Sequence, residues 1–109
     1  MARDEGLEEL LREDLSDESG LTEKSMFGGR AFLLRGHLLC CARHDGLLLR
    51  LGDGRDGWAL ERADIAPMLS GNRRMRGWVR AGPAAFGDDA LRQRLLDAAL
   101  AFLRELPAK

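Results

Sequence analysis

Residues 26–41 read MFGGRAFLLRGHLLCC, two apolar runs broken by glycines and arginines and ending in a pair of adjacent cysteines. A third run, LLLRL at 47–51, follows Asp45-Gly46. Short apolar runs separated by Arg35-Gly36 and Asp45-Gly46 read as three antiparallel strands, since Asp-Gly between such runs is a strong signal for a tight hairpin turn. Gly28 and Gly29 mark a bulge or a close approach of two backbones, with the strand resuming at Ala31. The runs are continuously apolar where a sheet with one wet face would alternate, so both faces need cover. Helices can cover one face. The other is left to the middle segment or a second copy, which makes a homodimer the expected assembly.

Upstream, Leu7, Leu10, Leu11 and Leu15 fall at steps of three and four and predict an amphipathic helix over residues 4–17, with Gly20 as its stop. LTEKSMF at 21–27 is an extended lead-in to the sheet. Downstream, GDGRDG at 52–57 is a turn cluster, after which Asp56 can cap a short helix from Gly57 to about Arg62. Pro67 and the Ser70-Gly71-Asn72 turn frame a brief extended piece, and MRGWVRA at 75–81 supplies the last strand. Asp88 or Gly87 caps a final helix running to about Leu106, whose stripe is Leu91, Leu95, Ala98, Ala99, Phe102, Leu103 and Leu106. The order helix, three strands, helix, two strands, helix describes a two-layer α+β domain with an antiparallel sheet of about five strands.

A chain of 109 residues with 45% hydrophobic and 32% charged residues forms one globular domain over residues 1–109. Its 17 Lys and Arg against 18 Asp and Glu leave no global field to draw it to nucleic acid or to an anionic membrane. No apolar segment approaches the roughly 20 residues of a membrane span, and MARDEGLEEL lacks the order of a signal peptide, so a cytoplasmic protein without membrane contact is expected. Adjacent cysteines in a strand do not form a disulfide readily, and Cys40 and Cys41 are expected as thiols.

Three groups of residues invite a chemical reading. His37, Cys40, Cys41 and His44 are zinc-ligand types, but strand alternation sends His37 and Cys41 one way and Cys40 and His44 the other, so no four-ligand site closes within one chain, and a metal or thiol site with two ligands per face paired across a dimer is the weakest of the alternatives. A thiol nucleophile fares no better, because Cys40 and His44 are too far apart along a strand for a hydrogen bond. GDGRDG lacks the ligand order of a calcium loop, and MFGGR lacks the lysine and spacing of a phosphate loop. Arg73, Arg74, Arg76 and Arg80 around Trp78 form the best nucleic-acid candidate, with guanidiniums for phosphates and an indole for a base. The competing reading is a strand whose Trp78 packs inward while its arginines pair with carboxylates.

The pieces EKSMFGGRAFLLRGHLLCC (23–41), DGLLLRLG (45–52) and MRGWV (75–79) resemble the N-terminal domain of the TfoX/Sxy family. The most specific are Met26, Phe27, Gly28 and Gly29 with Ala31 and Phe32, and Met75, Arg76, Gly77, Trp78 and Val79. Arg35-Gly36, where the family often has Asn-Gly, and the Cys40-Cys41 pair depart from the pattern. The resemblance implies a stand-alone N-terminal domain with a two-layer fold like that of secretion chaperones. Members with the full architecture carry a C-terminal domain and regulate competence for DNA uptake with the cyclic-AMP receptor protein at promoters. The N-terminal domain has no established catalytic residues, so the resemblance implies a non-enzymatic regulatory or protein-interaction domain. No cofactor is expected, and a partner in the transcription machinery is.

Overall fold

The computed structural model describes residues 4–108. Helix α1, Glu5–Asp14, starts where the Asp4 carboxylate accepts the Leu7 N–H at 3.0 Å, satisfying a donor that the first helical turn leaves free. Four strands follow: β1 (Leu21–Met26), β2 (Gly29–Leu34), β3 (His37–Arg43) and β4 (Gly46–Arg50). After the short helix α2 (Gly57–Leu60) come β5 (Ile65–Ser70) and β6 (Arg73–Ala81). Helices α3 (Pro83–Phe86) and α4 (Asp89–Arg104) close the chain. The sheet is antiparallel throughout, in the order β1-β2-β3-β4-β6-β5.

The α+β layers agree with the sequence reading; the strand count does not. Leu21–Met26 is a full strand paired with β2 from Leu21↔Leu34 to Met26↔Gly29, giving six strands where about five were expected. The turn between them is Phe27-Gly28, both with positive φ (55° and 74°), the backbone of a two-residue type I′ hairpin. Gly28 is thus a turn residue, not part of a bulge. Gly29 does mark a close approach, since a Cβ there would overlap the Ala42 carbonyl oxygen. The Asp45-Gly46 turn is shifted by one residue: His44-Asp45 form the loop, and Gly46 pairs with Arg43. Asp56 gives α2 no side-chain cap, because its carboxylate instead receives Arg74 at 3.2 Å. Asp88 caps α4 as expected, accepting the Leu91 N–H at 3.1 Å.

One sheet face carries Phe32, Leu34, Leu47, Leu49 and Val79 against Leu7, Leu11 and Leu15 of α1 and Leu95, Leu96, Ala99 and Leu103 of α4. Fully burying each such side chain contributes on the order of 1.5–3 kcal/mol. The other face has a smaller core of Ala31, Cys41, Leu48 and Met68, ringed by Met26, Leu33, Leu38, Met75 and Trp78. Among the described residues no helix lies over it. The cover that the sequence reading assigned to the middle segment or a second copy comes in part from these neighbouring side chains.

Two irregularities shape that face. In β3, Phe32 pairs with Cys40 but Leu33 with Leu38, so Leu39 is an extra residue, and Leu39 and Cys40 both point to the helix side. In β6, Pro67 pairs with Val79 but Leu69 with Arg74, so the segment 75–78 bulges opposite Met68. Gly77 makes this bulge possible: its φ is 83°, and a Cβ would stand 2.6 Å from the Gly52 carbonyl carbon. Its carbonyl accepts the Leu51 and Gly52 N–H groups at 2.8 and 3.1 Å, locking the exit of β4 to β6.

Candidate interaction face of the sheet

The two bulges open a groove of about 350 Å3 on the uncovered face, lined by Phe27, Leu38, Leu48, Met68, Leu69, Ser70, Met75 and Trp78 with Arg43 at one end. β3 brings Leu38 to the groove because the Leu39 bulge turns it to the side of Leu33. β6 brings Trp78 there by ordinary alternation from the core residue Val79, and Met75 from beyond the Gly77 bulge. Leu69 comes from the tip of the β5–β6 hairpin, whose Ser70-Gly71-Asn72-Arg73 turn places Gly71 at positive φ (63°).

Phe27 is unusual twice over. It is 53% exposed, and it occupies a left-handed backbone position that disfavours any bulky residue. Leu69, which also lines the groove, is 59% exposed. The sequence signal for both is a two-residue turn, which contains Phe27 and follows Leu69-Ser70.

The arginine cluster does not form one basic stripe. Arg74 is held by Asp56 and Arg76 by Asp53 at 3.3 Å. Arg80 donates to the Asp45 carbonyl at 3.2 Å, and Trp78 packs half-buried with the small core. Arg73 stands exposed beside the hairpin turn. Among the family-motif residues, Phe32 is in the main core, Gly28 and Gly29 build the first hairpin, and Gly77 builds the bulge. Met26 and Met75 border the small core.

The thiol and imidazole groups are scattered. The Leu39 bulge overturns the simple alternation, for His37 pairs with the core residue Leu34 and so lies on the helix side with Cys40, not with Cys41. Its Nε2–H donates to the Pro107 carbonyl at 2.6 Å beyond α4. Cys41 lies on the uncovered face, and His44 sits in the β3–β4 turn. Among the described residues, no three His, Cys, Asp or Glu side chains are grouped to hold a metal ion. Burial pushes the Cys41 thiol up to about 11, and burial followed by the neighbouring Cys41 raises that of Cys40, so neither is an activated thiolate. Among the described residues no helix is long and apolar enough to cross a membrane.

Against known proteins, the family model of the TfoX N-terminal domain matches residues 13–103. No curated protein and no solved structure matches the chain.

Proposed function

Because the chain belongs to the TfoX N-terminal domain family, we propose that it is a non-enzymatic interaction domain of a regulatory system, working through the uncovered face of its sheet. One observation carries this reading: Phe27 and Leu69, both more than half exposed, flank an apolar groove, and Phe27 is held there at φ 55°. Single exposed apolar residues need no explanation, whereas a pair at the mouth of an apolar groove, one of them in a strained conformation, points to a contact surface. The process suggested by the family is control of competence for DNA uptake in the cytoplasm, through a protein of the transcription machinery. Direct nucleic-acid binding through Arg73, Arg74, Arg76, Trp78 and Arg80 is the weaker reading, because Arg74 and Arg76 already face carboxylates.

Site-specific photo-crosslinking in the native host tests the proposal. A benzoylphenylalanine at position 69 is expected to give discrete crosslinked products, and one at Asp97 on the outer side of α4 is not. A product of twice the chain mass from position 69 would identify the occupant as a second copy. Equal, diffuse yields from both positions would remove the uncovered face as the working surface. A strain lacking the protein is expected to transform less efficiently than its parent.

A further inference from the structure

The charges around the groove specify the chemistry of its occupant, an inference that rests on the uncovered face being the working surface. The apolar hollow adjoins a second one of about 310 Å3, which shares Arg43, Leu48, Met68 and Leu69 with it and adds Asp45, Pro67 and Arg80. Asp45 is the one carboxylate lining either hollow among the described residues, and Arg43 holds it through two hydrogen bonds of 2.9 Å. Arg80 donates to the Asp45 backbone carbonyl and makes no ion pair among the described residues. Register sets two more cations at the borders of the same face: Lys24 opposite Ala31, and Arg73 opposite the groove residue Ser70. Both are exposed, and neither has an ion pair among the described residues. Exposed carboxylates such as Glu5, Glu13 and Asp97 stand on the helix layer instead. The chain is nearly neutral as a whole, yet this face is apolar at its centre and cationic at its margin.

We infer that the groove receives a segment of another protein in which bulky apolar side chains neighbour aspartates or glutamates. The apolar side chains lie among Phe27, Leu38, Met68, Leu69 and Met75, and the carboxylates meet Arg80, Arg73 and Lys24. Methionines suit such a surface because they repack around different apolar shapes. A second copy docked by this face would set the patch against itself, bringing Lys24, Arg73 and Arg80 towards cations of the same kind, which opposes self-association. A nucleic-acid backbone would answer the cations and leave the apolar hollow unfilled.

Trp78 reports on the groove directly. The chain has 2 Trp and 0 Tyr, and Trp58 sits on the helix side under the Arg94 guanidinium, 4.1 Å from its ring, so a Trp58→Phe variant leaves Trp78 as the emitter. The probes are a short synthetic peptide of leucine, phenylalanine and glutamate and its twin with lysine in place of every glutamate. The acidic peptide is expected to shift the Trp78 emission saturably to the blue, with affinity falling as salt rises, and the basic twin is not. Arg73→Glu, at an exposed hairpin position where folding is not at risk, and Arg80→Gln are each expected to weaken binding about threefold to tenfold. Equal binding of both peptides, binding of neither, or an affinity untouched by Arg73→Glu would overturn the inference. Crosslinking from position 69 that persists after such a result would leave the interaction face standing and remove only its preference for acidic partners.

Discussion

On one face of the sheet Phe32, Leu49 and Val79 lie beneath α1 and α4; on the other, Ala31, Cys41 and Leu48 are enclosed by their own neighbours, and Phe27 and Leu69 remain in solvent. The side chains at the centre of both faces are equally inaccessible, so burial alone does not tell them apart. What differs is the cover. Helices seal the first face with leucines from two elements, whereas the second has Met68 in its small core and a ring of Met26, Leu33, Leu38, Met75 and Trp78, of which Leu38, Met75 and Trp78 line the groove. A core closed by helices serves stability, and one closed by methionines can exchange part of its cover for a partner.

Two adjacent leucines of β4 should differ most between the faces. Leu49→Ala, on the sealed face, is expected to lose about 2–5 kcal/mol in chemical denaturation, because the packed helices cannot collapse into the cavity. Leu48→Ala is expected near the lower end of that range, since Met68 beside it borders the groove and can move in. Equal losses would mean that the two faces are packed alike. Gly77→Ala comes next, at roughly 1–3 kcal/mol, because φ 83° and the contact with Gly52 both resist a side chain. It should also disturb the groove, and loss of the Trp78 response at unchanged fold in circular dichroism would show this.

Phe27 sharpens the contrast in the opposite direction. Phe27→Asn places a residue suited to the left-handed turn, and thermal or chemical unfolding is expected to show a gain of up to about 1 kcal/mol while partner binding weakens. Arg35→Asn, in the second hairpin with φ 52° at Arg35, supplies the control: a similar gain without an effect on the groove. A loss of stability in Phe27→Asn would show that the phenyl ring is a packing residue and would remove the strained contact from the argument.

The helix layer and five of the six strands were legible because leucine periodicity and Gly-containing turns are local signals. Strand β1 was not, for LTEKSM is an edge strand with polar side chains, and Phe27 conceals the turn that Asn would announce. The His37 error has a similar origin. Strand alternation holds only until a bulge, and nothing in HLLCC distinguishes Leu39 as the inserted residue. The Arg-Trp cluster was legible as a composition but not as a geometry, since Asp53 and Asp56, which engage Arg76 and Arg74, lie in the separate turn cluster after β4. The groove depends on two bulges and a hairpin tip meeting across the sheet, which is information held by the register alone.

The smallest effect concerns the tie between the sealed face and the edge of the sheet. Glu23 of β1 accepts from Arg12 of α1 at 2.8 to 3.1 Å and from Arg30 of β2 at 3.1 Å, and these guanidiniums, Arg12 first, hold its carboxyl below the usual glutamate range. A carboxyl whose folded pKa is depressed stabilises the fold above its unfolded value, about 4.3, and that contribution is lost as the pH falls through the folded value. Glu23→Gln is therefore expected to cost up to about 1 kcal/mol at pH 7, limited because the pair is partly solvated, and the gap from the parent should close on acidification below about pH 4. On the uncovered face the Arg43–Asp45 pair stays within one hairpin and ties no helix to the sheet, and the arginines keep their charge throughout. Hydrogen exchange should consequently quicken in β1 of Glu23→Gln at neutral pH while the β5–β6 hairpin is unchanged, and a gap that stays constant from pH 7 to pH 3 would show that Glu23 does not link α1 to the sheet.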